Sequence, residues 1–486
     1  MKIDNIAIVG GGTSGLVCAL ILRKTYPNLK IDILESESIG IVGVGEGTTE
    51  HWSSFMFHCE IDIKDLIKET DATFKYGINF VNWNGDGKNY IHSIENSFTI
   101  KNETNYEYLL AYLTADKKNH NPLVYPHVEQ SLHIQPFDVI NQFHFDTFKL
   151  NKFLHSLCEK RNIRIINCKI KDTTFDDSGH IKSLISEDHR EFKYDFYIDS
   201  SGFHKLLLNK TLNSKWISYQ KYLPLNSAIA FRTERTEDIP SWTLSRAMNS
   251  GWLWRIPTQG SYGNGYVFNE DFISADQATE EIEKLYGHKI EIAKQIKFDA
   301  GHLEKFWIKN CAAVGLSAGF VEPLEASAIG FSIQQSFLLA ELLPIYSRDT
   351  QYSKKIYNIQ STELMKNIID FVSLHYCTNR NDTQFWKFVK NLPKTDSLKE
   401  KLELFKFSFP STGHFRNRNL MFKESNWVYV MHGLNLISKT TAEKVVNMQA
   451  DNVKKTINKD LEYIFNLAKS LDKTTHRKAL NYILKH

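Results

Sequence analysis

The stretch "IDNIAIVGGGTSGLVCALILRK", residues 3–24, decides the fold. Residues 3–9 are an apolar, isoleucine- and valine-rich run that reads as a strand. A glycine cluster follows, then a helical pattern through Leu16, Ala19, Leu20 and Arg23. "LKIDILES" comes next, a second strand ending in Glu35. Strand, helix and strand in this order predict a parallel sheet. Between the first strand and the helix, Gly10, Gly12 and Gly15 form G-x-G-x-x-G, with Thr13 and Ser14 in the same turn. Such glycines allow a tight turn and a close approach of backbone to a pyrophosphate seated on the helix N-terminus. Glu35 stands twenty residues after Gly15, where an acid takes a ribose hydroxyl.

The dinucleotide expected here is FAD in preference to NAD. The motif is N-terminal, and more pieces of a flavin fold follow it. "IDSSG", Ile198–Gly202, ends a strand with a turn that can run past the cofactor. "NCAAVGLSAGFVEP", Asn310–Pro323, is a strand entering a second glycine-bearing turn with Gly315 and Leu316. No second G-x-G-x-x-G offers a place for a nicotinamide cofactor.

The chain has 486 residues with 42% hydrophobic and 13% aromatic content, enough for two or three intimately packed lobes. The net charge of +3, with acids and bases interspersed, gives no nucleic-acid footprint. Six cysteines are scattered without a CxxC pair, which argues against structural zinc and thioredoxin chemistry; no metal site is expected. Several sit in apolar segments and read as reduced core thiols. The start runs straight into a strand without a signal peptide, and no apolar run reaches membrane-spanning length. A soluble cytoplasmic protein is expected. Asp146 or Thr147 caps a helix through Leu150, Phe153, Leu154 and Leu157. Residues from about 205 to 300 read as strand-rich and aromatic, and helices dominate after about 325.

Within the strand-rich part, "GWLWRIP" (Gly251–Pro257) alternates Trp252, Trp254 and Ile256 before Pro257. Residues two apart on a strand share a side, so the indoles should stack along one face; on pattern alone that face is ordinary core. Other pieces are "GVGEGT" (Gly43–Thr48), "TFKYGINFVNW" (Thr73–Trp83), "FHFD" (Phe143–Asp146), "IDSSGF" (Ile198–Phe203) and "GLSAGFVEPLEASAIG" (Gly315–Gly330). Together, and in this order, these motifs resemble the flavin-dependent halogenases of the tryptophan halogenase family. The G-x-G-x-x-G alone would fit many flavoproteins. The W-x-W-x-I-P signature and Lys75 in its F-K-x-G-I setting are far more specific.

The resemblance implies that reduced FAD, O2 and a halide ion yield hypohalous acid by way of a flavin hydroperoxide. The acid then travels down a tunnel to a lysine, which maps onto Lys75. The partner glutamate maps onto Glu325. It also implies flavin contacts from Gly43, Val44, Gly45 and Glu46, and a halide held by the amides of Ser327 and Ala328. Trp252, Trp254, Ile256 and Pro257 would separate flavin from substrate. His92, Trp427 and Tyr429 are candidates for substrate contact. On spacing alone, Lys75 reads as a snorkelling surface lysine and Glu325 as a dipole partner of the following helix; the resemblance reverses both readings. Free backbone amides at a helix start are a sound anion site whatever the side chains. Ala326 stands where family members usually carry Ser, which removes a hydroxyl beside Glu325.

Leu316 occupies the position where flavin hydroxylases carry an Asp, which favours halogenation over the alternative, a flavin-dependent aromatic monooxygenase. The expected fold is α/β (α+β): a Rossmann-like FAD-binding domain of the flavin monooxygenase type, an interleaved strand-rich substrate region and a mostly helical C-terminal part. The FAD module with its interleaved sheet (about 205–300) is placed at 1–340, and a helical substrate-capping region at 341–486. The expected substrate is an electron-rich aromatic, an indole or tryptophan-like molecule. The expected partners are that substrate and a separate NADH-dependent flavin reductase, with no nucleic acid and no membrane. A homodimer or higher oligomer is left open.

Overall fold

The opening apolar run forms the strand Asn5–Val9, near the middle of a six-stranded sheet. Lys30–Glu35 flanks it on one side and Phe196–Asp199 on the other, both parallel. Arg164–Asn167 and Cys311–Ala313 extend the sheet in parallel, and Trp307–Ile308 closes one edge antiparallel. Ile6, Ala7, Ile8 and Val9 are all buried, as expected of a central parallel strand covered on both faces. The helix Thr13–Thr25 packs against the helices Thr147–Lys160 and Ser327–Leu342. Asp146 caps Thr147–Lys160, its carboxylate accepting the N–H groups of Phe148 and Lys149. The structure is a computed structural model and describes residues 3–41, 43, 45–94, 106–125, 142–237, 239–343, 351–415, 417, 419–470 and 475–485.

A second sheet has seven strands. Its order is Ile292–Lys297, Ser227–Glu234, Ser261–Phe268, Gly251–Pro257, Thr243–Ala247, Gly77–Val81 and Asn89–Ser93. The strand-rich segment is therefore joined by a hairpin from much earlier in the chain. On one face Leu253, Ile229, Phe231, Tyr266 and Phe268 form a core with Ala278 and Ile282 of the helix Ala275–Tyr286. A small third sheet pairs Phe143–Phe145 with Glu46–Gly47 and Thr73–Phe74. Beyond Gln351 the described chain is helical, ending in Glu424–Gly433, Lys439–Asn447, Asp451–Ser470 and Thr475–Lys485.

All six cysteines are free thiols, five of them buried and Cys377 half-buried. Burial pushes Cys18 up to about 12, so it is an inert core thiol. Among the described residues no helix is long and apolar enough to cross a membrane.

Candidate active site

Gly10, Gly12 and Gly15 serve different needs. Gly10 has φ +117, and a Cβ there would lie 2.2 Å from the Ser200 carbonyl oxygen. A Cβ on Gly15 would lie 2.1 Å from the Gly10 carbonyl oxygen, so only glycine lets helix and strand approach this closely. A Cβ on Gly12 would meet nothing within 4 Å. The backbone there faces open space where the helix begins, which is the cradle a pyrophosphate requires. Glu35 lays its carboxylate against the same turn, with Oε2 1.5 Å from where a Gly11 Cβ would stand. His155 Nε2 contacts that oxygen at 3.2 Å. Ser14 Oγ pairs with Ser332 Oγ at 2.7 Å, and Gly315 packs directly on Ser14. The Gly315–Leu316 turn thus abuts the start of the helix. These residues fit FAD: an acid for the ribose, open amides for the phosphates, and a second turn alongside.

Gly43 packs on Thr147, and Gly45 on Ile256. Glu46 follows, with Oε2 buried and unpartnered among the described residues, and burial pushes its carboxyl up to about 7. Val44 lies outside the described residues.

Lys75 occupies a two-residue joint between Thr73–Phe74 and Gly77–Val81, where the chain leaves the small sheet for the seven-stranded one. Its N–H donates to the Gln142 carbonyl at 3.0 Å, and the Tyr76 N–H to the Ser241 carbonyl at 2.7 Å. The side chain is 2% exposed, and Nζ donates to the Thr48 carbonyl at 2.7 Å. Burial lowers the ammonium from 10.5 to about 8, against the pull of the Glu325 and Glu50 carboxylates. Gly47 leaves room between the two site segments: a Cβ there would lie 3.4 Å from Ala326 Cβ and 3.6 Å from Lys75 Cδ. Lys75 and the Glu325–Ala326 turn therefore face one another across a glycine, without a direct ion pair.

Glu325 is 2% exposed and ends the short turn Pro323–Glu325. His92 Nδ1 lies 3.1 and 2.9 Å from its two oxygens, and His375 Nε2 lies 2.8 Å from Oε1, off the hydrogen-bonding direction. Burial alone would raise this carboxyl; the two histidines more than offset it and hold it at about 2. The tautomers follow from the neighbours. The Lys423 N–H donates to Asn426 Oδ1 at 2.8 Å, which turns the Asn426 amide nitrogen toward His92 Nε2, 3.1 Å away. His92 therefore carries its proton on Nδ1 and donates to Glu325. His375 Nδ1 donates to the Phe371 carbonyl at 2.9 Å.

Trp252, Trp254 and Ile256 lie on the side of their strand opposite Leu253. The two indoles stand 6.1 Å apart at 56°, tilted instead of stacked as expected. Trp252 is 1% exposed and donates Nε1 to Glu322 Oε2 at 2.8 Å; Tyr376 OH donates to the same oxygen at 2.6 Å. Trp254 is half-buried and lies over Gly265 of the next strand, where a Cβ would come within 2.0 Å of the indole. Pro257 ends the run, and its carbonyl accepts from Thr73 Oγ1 at 2.7 Å. The Trp strand is thus tied to the lysine segment by its last residue and to the Glu325 turn by its first indole.

Ser327 and Ala328 open the helix Ser327–Leu342. Ala326 precedes them with φ +52, a left-handed conformation that an alanine adopts only under strain. Tyr429 packs on His92 at 5.8 Å. Trp427 is linked to His92 through Phe371 and is flanked by Phe405 and Phe415. His375, Asn426, His144 and His476 escaped sequence reading. Of these only His144 falls in a quoted motif, Phe143–Asp146, and each joins the site through contacts far along the chain. His144 Nε2 sits 2.9 Å from Thr243 Oγ1, and burial with Lys75 nearby drives its pKa well down. A cavity of about 640 Å³ opens at the edge of the parallel sheet beside Arg23, Asp32 and Arg164; no lysine-site residue lines it. Among the described residues no group of three or more His, Cys, Asp or Glu could hold a metal ion.

A family model for tryptophan halogenase matches residues 5–450. The tryptophan 6-halogenase of Streptomyces toxytricini is 28% identical over 446 residues, covering 84% of this chain and 85% of that protein. The tryptophan 7-halogenase of Lentzea aerocolonigenes is 27% identical, with 92% of each chain covered. The crystal structure of a tryptophan halogenase from Shewanella frigidimarina superposes with a TM-score of 0.89 at 25% identity, covering 100% of this chain and 98% of that one. A flavin-dependent halogenase from Brevundimonas gives 0.85 at 26% identity over 99% of both chains.

Proposed function

Because the chain belongs to the tryptophan halogenase family, we propose that it halogenates an electron-rich aromatic, an indole or tryptophan-like substrate, with hypohalous acid delivered at Lys75. The observation that carries this reading is the enclosed placement of Lys75, tethered to Thr48, opposite the turn that carries Glu325, whose carboxylate two histidines hold ionised. FAD, bound as FADH2 by the Gly10–Gly15 turn, Glu35 and the Gly315–Leu316 turn, supplies with O2 the oxidation of halide to hypohalous acid. The first amides of the helix Ser327–Leu342 take the halide beforehand; among the described residues no backbone acceptor outside the helix engages the N–H groups of Ser327 and Ala328.

The protein's own groups divide the proton work between two ends of the reaction. Near neutral pH Lys75 is mostly an ammonium and donates to the oxygen of the hypohalous acid. The O–X bond breaks, the C–X bond forms, and the oxygen leaves as water. Glu325, kept ionised, takes the proton that the ring must lose. His92 and His375 fix its orientation. Trp252 and Trp254 line the route and keep the aromatic from meeting the flavin directly, so oxygen is not transferred to it.

The test is incubation with FAD, NADH, a flavin reductase, bromide and a panel of indoles and phenols, read by mass spectrometry. Brominated product carrying the bromine isotope doublet is expected. Sustained flavin oxidation without any halogenated product over the panel would overturn the reading.

A further inference from the structure

The last helix of the chain, Thr475–Lys485, lies beyond the region matched by the family model, which ends at residue 450. Its buried positions His476, Ala479, Leu480 and Ile483 fall on one helical face. The helix packs on Ile63–Thr70, the helix that precedes the lysine segment. His476 is the polar member of that face and is 2% exposed.

Both ring nitrogens of His476 are occupied. Nδ1 lies 3.1 Å from the Ile239 carbonyl and 3.2 Å from Ser241 Oγ. A carbonyl only accepts, so Nδ1 carries the proton and Nε2 is left with its lone pair. That lone pair accepts the Phe74 N–H at 2.9 Å. The imidazole also stacks on the Phe74 ring, centroids 5.3 Å apart and planes 17° from parallel.

Three consecutive N–H groups thus fix the main chain around the lysine. Lys75 and Tyr76 donate to the backbone carbonyls of Gln142 and Ser241. Phe74 donates to a side chain from the other end of the protein. Among the described residues Thr73–Phe74 pairs with a strand, Phe143–Phe145, on one edge alone. On the other edge the imidazole supplies the acceptor that a further strand would have offered.

We propose that His476 is a positioning residue for Lys75. It holds the Phe74 amide, and through it the joint from which the lysine reaches Thr48 and the Glu325 turn. The last helix is then part of the halogenation machinery, although the residue touches neither substrate nor cofactor. This inference rests on the reading of Lys75 given above.

The test compares His476→Ala with His476→Gln, whose amide oxygen can still accept from Phe74. Two quantities are read: halogenated product per flavin oxidised, and hydrogen exchange of the segment 72–77 without cofactor. His476→Ala should lower the product-to-flavin ratio several-fold and speed exchange of the Phe74 amide on the order of tenfold, the consequence of unpairing one buried N–H. His476→Gln should recover most of both. A simple loss of folded protein would lower product only in proportion to the folded fraction, so the ratio is read per folded enzyme, with that fraction taken from circular dichroism, and would then be unchanged. An unchanged ratio and unchanged exchange in His476→Ala would overturn the proposal while the halogenase reading stands. If the wild type makes no halogenated product, that reading fails instead, and the exchange measurement still reports on the contact.

Discussion

At Lys75 the fold keeps an amine out of water, and the energetic sign can be worked out. Its folded pKa of about 8 lies below the ordinary 10.5, so between those values the unfolded chain binds more protons and stability rises with pH. The burden is therefore full below about pH 8 and vanishes above 10.5. Lys75→Met should raise stability by about 1–3 kcal/mol at pH 7, less whatever the abandoned Thr48 carbonyl costs, with the gain fading in alkali. Thermal melts across pH check this. The same variant should make no halogenated product, so a residue that weakens the fold is kept for what it does. Lys75 and Glu325 were legible because each sits in a distinctive word of sequence. Their supports were not. Nothing near Cys377 marks His375 as a partner of a glutamate fifty residues earlier, since that pairing is created by the helix Gln351–His375 crossing the Glu325 turn.

Among the elements, the strand Gly251–Pro257 sits in the interior of its sheet and holds two unlike indoles. Trp252 is locked by Glu322, whereas Trp254 depends on the bare backbone of Gly265. Gly265→Ala should push Trp254 off that surface and destabilise by about 1–3 kcal/mol. The expected readout is shifted tryptophan fluorescence together with less halogenated product per flavin oxidised. Sequence alternation placed both rings on one side. It could not distinguish them, because the partner of Trp252 comes from a turn some seventy residues on. The opening strand, glycine turn and helix were read in full, because local rules govern them: a β-branched run, a turn only glycine can make, and an apolar helical stripe. The seven-stranded sheet was read only in part. Its strand Gly77–Val81 joins Thr243–Ala247 across about a third of the chain, and no periodicity announces such a pairing.

For the molecule as a whole, one dinucleotide cradle is visible and no second one in the sequence. NADH alone should leave protein-bound FAD oxidised over minutes; adding a flavin reductase should start turnover at a rate that follows the reductase concentration. Direct rapid bleaching of the flavin by NADH would contradict this. The contact between Phe74 and His476 spans 402 residues. A ribosome adding about 5–20 residues per second leaves the lysine segment on the order of tens of seconds without its final neighbour. The strands that shape the cofactor cradle emerge well before the helix that braces the Lys75 segment. A chain interrupted between Phe74 and His476 would keep the strands of the cofactor cradle while lacking this contact, so the coupling of product formation to flavin oxidation would hang on a segment synthesised long after the cradle.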